Sequence, residues 1–200
     1  MASGRFIIET VESSCLVGNP LNDPHLREVP VFLPPNYESG TQEYHVIYLL
    51  TGFSGRGINL LNREPFSETL EDRLNRLIAK NMMVPAIVVA PDCFTYYGGS
   101  QYIDSMATGQ YETHIVEELI PFIDNKYRTI SEPRRRAVMG KSSGGYGALV
   151  LAMRHPDLFG IAASHSGDAA FEYCYLPDFP AALIELARFP SIMDYVRDFY

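Results

Sequence analysis

The stretch Met139-Gly140-Lys141-Ser142-Ser143-Gly144-Gly145 decides the fold of this chain, because it has the pattern Gly-x-Ser-x-Gly with Ser142 at its centre. A strand-like apolar run, residues 136–139, leads into it, and a helix-like run, residues 146–153, follows it. A serine in this context lies on a very tight strand-to-helix turn that has room only for small neighbours. Its hydroxyl then points above the sheet, at a helix N-terminus whose backbone N–H groups favour negative charge. This context predicts that Ser142 is a nucleophile.

Two other interpretations of the stretch have to be weighed. The first is a glycine-rich strand-to-helix turn without chemistry, since a bare Gly-x-Ser-x-Gly occurs often by chance. The second is that Ser143 is the nucleophile, but its flanking residues would then be Lys141 and Gly145, which fit the pattern less well. The strand and the helix on either side favour Ser142.

Composition limits the class of protein. The 200 residues suit one domain with a real core, and 46% hydrophobic and 20% charged residues are ordinary for a globular protein. A net charge of -8 argues against nucleic acid and anionic membranes as partners. No apolar run approaches the length of about 20 residues that spans a membrane, and none at the start has the length of a signal peptide. Cys15, Cys93 and Cys174 are widely spaced, which predicts reduced thiols in a cytoplasmic protein. Cys93 follows a predicted strand end and could approach the site, but a buried, apolar role is expected for it.

The order of apolar runs predicts an α/β architecture. Strands are expected at residues 5–12, 27–33, 45–50, 86–90, 136–139 and 159–168, and helices at 68–79, 111–126 and 146–153. Two strands followed by strand–helix alternation indicate a mainly parallel sheet with helices on both faces. Pro30 predicts an edge-like position for the second strand, and Pro121 predicts a bend in the second helix.

Four predicted strand exits meet at one rim of this sheet, where α/β proteins bind ligands. They carry Gly52-Phe53, Asp92-Cys93, Ser142 and Gly167-Asp168. The glycine-rich loop 51–57 either places a backbone N–H above this rim or is a flexible connector. The loop 96–102, rich in tyrosine and glycine, either lines a substrate pocket or is structural.

The elbow resembles that of a known family. Residues 142–149, Ser-Ser-Gly-Gly-Tyr-Gly-Ala-Leu, resemble the Ser-x-Gly-Gly-x-Gly-Ala-Leu elbow of the esterase-D-like esterases. That family includes S-formylglutathione hydrolases, feruloyl and acetylxylan esterases, enterochelin esterases and mycolyltransferases. Residues 48–53 resemble its Tyr-x-Leu-His-Gly-x segment, with Thr51 where histidine is common, and residues 111–121 resemble the helix before its elbow strand. The likeness spans roughly residues 28 to 168.

The resemblance implies an α/β-hydrolase fold with Ser142 as the nucleophile. It also implies an oxyanion hole formed by the backbone N–H groups of Phe53 and Ser143. Thr51 in place of histidine leaves that backbone role intact. The likeness is specific for the family and not for a substrate.

The rest of a catalytic triad is harder to find. A serine nucleophile needs a histidine base that a carboxylate orients, and in α/β hydrolases the chain order is Ser, acid, His. Downstream of Ser142 the chain offers only His155 and His165. His155 is expected to cap the end of the elbow helix or to interact with the helix dipole. His165 is the candidate base, although it is in the wrong order for the family, and Asp168 is the candidate acid.

The family usually places its acid and base on later strands than this chain contains. We therefore expect a C-terminally truncated family member whose last strand is an unpaired edge. Residues 1–168 are expected to form the hydrolase core with six strands. Residues 169–200 are expected to form a helical insertion or cap that is not an independent domain.

These observations predict a serine esterase that hydrolyses carboxylic esters or thioesters through an acyl-enzyme on Ser142. A small-molecule ester is the expected partner, with no cofactor, and the oligomeric state is left open. No metal is expected, since no His/Cys/carboxylate cluster has ligand spacing. Acyl transfer to an alcohol uses the same acyl-enzyme, and a non-catalytic binding module on a hydrolase scaffold is the alternative of a different class.

Overall fold

The computed structural model describes residues 3–199. The chain divides into two compact units, Met1–Gly167 and Asp168–Tyr200. The strands are β1 (Arg5–Glu12), β2 (Leu26–Leu33), β3 (His45–Leu50), β4 (Ala86–Val89), β5 (Asp104–Ser105), β6 (Gly109–Gln110), β7 (Arg136–Lys141) and β8 (Ile161–His165). The helices are α1 (Leu70–Ala79), α2 (Tyr111–Thr113), α3 (Ile120–Lys126), α4 (Ser143–Arg154), α5 (Phe171–Cys174), α6 (Phe179–Leu186) and α7 (Ile192–Phe199).

The main sheet has the strand order β1-β2-β4-β3-β7-β8. The strands β4, β3, β7 and β8 run parallel to one another, whereas β2 is antiparallel to both β1 and β4. This mixed, mainly parallel sheet confirms the predicted α/β class.

The prediction that Pro30 holds β2 at an edge is wrong. The strand has a neighbour on each side, because Pro30 lies opposite Ile8 of β1 and its carbonyl accepts a hydrogen bond of 2.9 Å from the N–H of Ala90. The ladder between β2 and β4 is only two residues long, at Val31 and Phe32. Proline is tolerated in this inner strand because it lies just before that short ladder, where a missing N–H costs little.

Helices cover the sheet on both faces. Val46, Tyr48 and Leu50 of β3 belong to the larger core cluster, which also contains residues of α3 and α4. The alternate residues Ile47 and Leu49 pack against the second cluster, which contains Leu74 of α1. The alternation follows from the two-residue repeat of a strand, so the apolar run of residues 45–50 serves both layers.

The predicted second helix is interrupted by a wide turn. Between α2 and α3 the backbone forms a π-helical segment, His114–Leu119, in which the N–H of Ile120 bonds to the carbonyl of Ile115. Pro121 follows at the start of α3 and has no N–H to donate. The predicted bend therefore takes the form of a π-helical turn directly before Pro121, one of the usual distortions within long helices.

The strand β8 lies at one end of the sheet order and pairs with β7. All five of its residues are exposed, and Ile161 keeps 49% of its surface accessible. Among residues 3–199, no helix has both the length and the apolar character that a membrane span requires.

The second unit consists of the short helix α5, a single 3₁₀ turn at Leu176–Asp178, and the helices α6 and α7. Aromatic pairs hold it locally, with ring centroids 5.4 Å apart for Phe171 and Tyr175 and 5.3 Å apart for Phe189 and Tyr195. Large apolar side chains such as Leu183 and Ile184 are exposed.

The carboxylate of Glu9 in β1 ties the end of α3 to the sheet. It accepts hydrogen bonds from Lys126 Nζ and from the hydroxyl of Tyr127. Burial raises the pKa of Glu9, but these hydrogen bonds and the Lys126 charge outweigh it, so the pKa lies below its ordinary value. A lowered pKa in the folded state means that the ionised carboxylate stabilises the fold at pH values above its unfolded pKa. That contribution is lost as the pH falls through the folded pKa.

We expect Glu9→Gln to lower the free energy of unfolding by about 1 kcal/mol at pH 7, because the ion pair is partly exposed. The difference should shrink as the pH falls through the lowered pKa of Glu9 in the folded state, because the wild-type carboxyl is then protonated. Urea unfolding at several pH values measures it. Glu38→Gln, which removes an exposed pair with Arg5, serves as the control and should change little at any pH. An effect of Glu9→Gln that grows towards acid would contradict the prediction.

Candidate active site

Ser142 lies on the sharp turn between β7 and α4. Its backbone has φ 56° and ψ −123°, a conformation that costs a residue with a side chain on the order of 1–3 kcal/mol. Its N–H donates to the carbonyl of His165 at 3.0 Å, and its own carbonyl accepts from the N–H of Tyr146 at 3.0 Å. The surrounding backbone thus holds Ser142 in a strained geometry on the turn between strand and helix.

The glycines around Ser142 allow the turn to be this tight. A Cβ on Gly140 would lie 2.5 Å from the carbonyl group of Gly144. A Cβ on Gly144 would lie 2.5 Å from the carbonyl oxygen of Leu50 and 2.6 Å from that of Thr51. The first turn of α4 therefore packs directly on the carboxyl end of β3, which only glycine permits at these two positions.

The loop after β3 reaches the same turn. A Cβ on Gly52 would be in van der Waals contact with Ser142, at 3.6 Å from its Cβ. The backbone N–H of Phe53 is one residue further along the chain. The fold therefore brings the loop 51–57 and the start of α4 together, as an oxyanion hole formed from Phe53 and Ser143 requires.

The loop 51–57 is tied to the loop 96–102 and is not a free connector. The hydroxyl of Tyr102, a buried residue, donates to the carbonyl of Thr51 at 2.8 Å. The N–H of Ser54 donates to the carbonyl of Gly98 at 2.8 Å. The Phe53 ring lies against the backbone of Gly98, where a Cβ would meet it at 3.0 Å. Both loops therefore take part in positioning the N–H of Phe53.

The hydroxyl of Ser143 has a structural partner. Ser143 is 2% exposed, and its Oγ donates to Gln101 Oε1 at 2.7 Å. Gln101 and Tyr102 both have left-handed backbones, with φ of 56° and 58°. Two consecutive non-glycine residues in this region are strained. The role of Gln101 could not be predicted from the sequence, because no pattern of neighbouring residues indicates it.

The structure separates His155 from Ser142. The two lie at opposite ends of α4, a helix of 12 residues and therefore about 18 Å long. His155 Nε2 is 2.8 Å from Glu112 Oε1, and Arg154 pairs with the other oxygen of the same carboxylate. His155 is thus held by a carboxylate beyond the end of α4, far from the elbow.

His165 is the last residue of β8 and lies beside Lys141 in the register of β7 and β8. His165 is one of the residues that line a cavity of about 370 Å³, together with Leu49, Met139 and Lys141. Leu49 faces the α1 side of the sheet, whereas Ala148 and Leu151 of α4 pack on the other. His165 is therefore next to the elbow but on the sheet face opposite α4, and its role as base stays a prediction.

Asp168 is the first residue of the second unit, and its role as acid also stays a prediction. Asp92 is buried beside two guanidinium groups, 3.9 Å from Arg27 Nη1 and 3.2 Å from Arg56 Nη2. Cys93 is 4% exposed, as predicted, and burial raises the pKa of its thiol. A thiol of this kind is inert, so Cys93 is a core residue.

The chain is similar to known proteins in sequence and in fold. The family model described as "Putative esterase" matches residues 24–172. An esterase from Mycobacterium tuberculosis is 34% identical over 143 residues, which cover 71% of this chain and 29% of that protein. A solved ferulic acid esterase superposes with a TM-score of 0.68 at 29% identity, covering 82% of this chain and 58% of the other. An S-formylglutathione hydrolase from Agrobacterium tumefaciens superposes with a TM-score of 0.62 at 19% identity, covering 82% and 58%.

These matches confirm the α/β-hydrolase fold that the resemblance implied. The chain spans less than a third of the length of the mycobacterial relative and a little over half of the ferulic acid esterase. The activity of a whole protein therefore does not transfer to this chain from the match alone.

Proposed function

This chain belongs to the esterase family of α/β hydrolases, and on that premise we propose that it is a serine esterase acting through an acyl-enzyme on Ser142. The observation that carries the proposal is the backbone of Ser142, with φ 56° and ψ −123° at the start of α4. A fold retains strain of this size where surrounding contacts over-determine it, most often at active sites.

In the proposed reaction, Ser142 Oγ attacks the ester carbonyl carbon and loses its proton to a general base. The carbonyl oxygen becomes an oxyanion, which the N–H groups of Phe53 and Ser143 stabilise together with the N-terminus of α4. The carbon–oxygen bond to the alcohol then breaks, and the alcohol leaves with the proton. Water next attacks the acyl-enzyme, which releases the acid and restores Ser142 Oγ–H.

His165 is the histidine within this chain that we propose as the base, with Asp168 as the acid. The proximity of His165 to the elbow along β7 and β8 supports it. Its position on the sheet face opposite α4 means that the base role requires its ring to reach around the end of the strand.

The substrate is proposed to be a small-molecule ester with an apolar or sugar-bearing group. The exposed Phe53 ring, 55% accessible, supports this, as do the neighbouring rings of Tyr96 and Tyr97, whose centroids are 6.2 Å apart. The likeness to a ferulic acid esterase supports an aromatic acyl group. Cys15, Cys93 and Cys174 all lie in the described part of the chain as free thiols, which supports the proposed cytoplasmic location.

Two other functions use the same scaffold. An acyltransferase would pass the acyl group from Ser142 to an alcohol in place of water. A binding module would keep the fold without an activated serine.

Labelling with a fluorophosphonate, read by intact mass, separates the enzyme from the binding module. The 200-residue chain should gain one phosphonyl group, and Ser142→Ala should gain none. Labelling of wild type that disappears in the variant also means that a base lies within this chain. A folded wild-type chain that stays unlabelled would contradict the proposal for this chain and favour the binding module.

A further inference from the structure

A cluster of three side chains away from the elbow has the composition of a metal site. Cys15 lies in a 3₁₀ turn, Ser14–Leu16, that follows β1, and His114 and Glu118 lie in the π-helical segment His114–Leu119. Cys15 Sγ, a His114 ring nitrogen and a Glu118 carboxylate oxygen all lie within 4.8 Å of one another. Thiolate, imidazole and carboxylate together are the ligand set that Zn²⁺ prefers.

We propose that Cys15, His114 and Glu118 form a Zn²⁺ site that ties the segment after β1 to the helix before β7. The site is independent of Ser142, and the proposal does not rest on esterase activity.

The separations between the ligand atoms fit one tetrahedral ion. Cys15 Sγ and His114 Nδ1 each lie 3.3 Å from Glu118 Oε2. Bonds of about 2.3 Å to sulfur and about 2.0 Å to nitrogen or oxygen, at tetrahedral angles, place such atoms about 3.3–3.5 Å apart. Ligand atoms at these spacings can bind one ion with little movement of the backbone.

The surroundings of His114 and Glu118 orient these side chains towards Cys15. His114 is fully buried, and its Nε2 has no hydrogen-bond partner within residues 3–199, so its polar contact is on the Nδ1 side. Glu118 Oε1 accepts from the N–H of Cys15 at 2.9 Å. The π-helical turn places the two side chains together, and such turns are often found at functional sites.

An ion has a path into the cluster from solvent. Cys15 lines a surface cavity of about 430 Å³, which it shares with Asn19, Asp104 and Gln110. The acidic side chain of Asp104 at this cavity favours the approach of a cation. A water from the cavity can take the fourth position, since three protein ligands leave one open. Binding releases the thiol proton of Cys15 to solvent as the thiolate joins the metal.

Sequence reasoning expected no metal because it found no ligand spacing. His114 and Glu118 are in fact four residues apart on one helix, but the third ligand, Cys15, is 103 residues from Glu118 along the chain. Only the folded chain brings the three together.

Cobalt provides a spectroscopic test on the full chain. Reduced protein is freed of metal with a chelator and titrated with Co²⁺. We expect a thiolate-to-cobalt charge-transfer band with tetrahedral visible bands, and we expect Zn²⁺ to displace both. Cys15→Ser should lack the charge-transfer band. Cys174→Ser, which removes an exposed thiol of the second unit, should keep it.

Affinity for Zn²⁺, measured by competition with a chromophoric chelator, adds a quantitative test. Cys15→Ser should weaken binding by at least about 100-fold and Glu118→Gln by about 10- to 100-fold, whereas Cys174→Ser should not change it. Circular dichroism checks that each variant is folded. If Cys15→Ser does not fold, alkylation of wild type replaces it: Zn²⁺ should protect Cys15 from iodoacetamide and leave Cys174 reactive.

The proposal is overturned if folded, reduced wild type shows no thiolate–cobalt band, or if the band depends on Cys174. It is also overturned if Zn²⁺ does not protect Cys15 from alkylation. The trio is then a hydrogen-bonded cluster in which Glu118 accepts from Ser13, Cys15 and His114.

Discussion

Alanine in place of Ser142 is expected to lower kcat/KM for hydrolysis of an aryl ester by about 10⁴-fold or more. The physical reason is that the covalent path is lost with the hydroxyl, and only the oxyanion hole and substrate binding remain. The measurement is initial-rate hydrolysis of 4-nitrophenyl acetate by wild type and variant at the same concentration of folded protein. The stability of the variant should not fall, because alanine has the same backbone limits as serine at this turn.

Ser143→Ala is the matched control for this prediction. It removes the bond from Ser143 Oγ to Gln101 but keeps the backbone N–H that the oxyanion hole needs. We expect less than about a tenfold change in kcat/KM, since one neutral hydrogen bond contributes about 1 kcal/mol. The assignment of the nucleophile would be wrong if the Ser143 variant lost activity and the Ser142 variant kept it.

Asparagine in place of Asp124 is expected to lower the free energy of unfolding by about 3–5 kcal/mol. Arg136, the first residue of β7, is 2% exposed, and its guanidinium pairs with Asp124 Oδ2. The other contacts of Arg136 are neutral, with the carbonyl of Leu158 at 3.0 Å and the hydroxyl of Ser131 at 3.2 Å. Removing one charge of a buried pair leaves the other buried and uncompensated, which is strongly destabilising. Thermal unfolding should show a Tm lower by about 10 °C.

A double variant tests whether the uncompensated charge is the cause. Arg136→Met combined with Asp124→Asn removes both charges and should be less destabilised than Asp124→Asn alone. Glu185→Gln, which removes an exposed pair with Arg188, should change stability by less than about 0.5 kcal/mol. A double variant that is less stable than the single one would show that packing, and not charge, accounts for the loss.

The architecture could be predicted because its signals are local. The apolar run of residues 45–50 is β3 in the structure, and the periodic run that predicted a helix at 68–79 is α1, Leu70–Ala79. Each strand or helix buries one side of a short segment, so the spacing of apolar residues within that segment predicts which of the two it forms. The bounds moved by a residue or two, as helix ends commonly do.

The order of the strands in the sheet could not be predicted from local sequence patterns. Pro30 was assigned to an edge because proline lacks an N–H, but the neighbours of β2 depend on how β1 and β4 dock, which no local pattern states. The π-helical turn before Pro121 is a similar case. The proline predicted a distortion, and the packing of the helix on the sheet decided its form.

The candidate site likewise has one part that the sequence predicts and another part that only the structure shows. Gly140, Ser142 and Gly144 were found from the sequence because the elbow is a single tight turn whose steric demands fall on adjacent residues. The contact of Tyr102 with Thr51 spans 51 residues, and that of Ser143 with Gln101 spans 42. Such pairs form only after the strand exits converge at one rim.

The sequence by itself thus determined that this chain has an α/β sheet and a serine on a strained turn before a helix, because both follow from interactions between residues close in the chain. The tertiary structure alone decided what surrounds that serine, which face of the sheet His165 occupies, and that Cys15 meets His114 and Glu118. Those contacts depend on strand order and register, and these are set by the packing of the whole core.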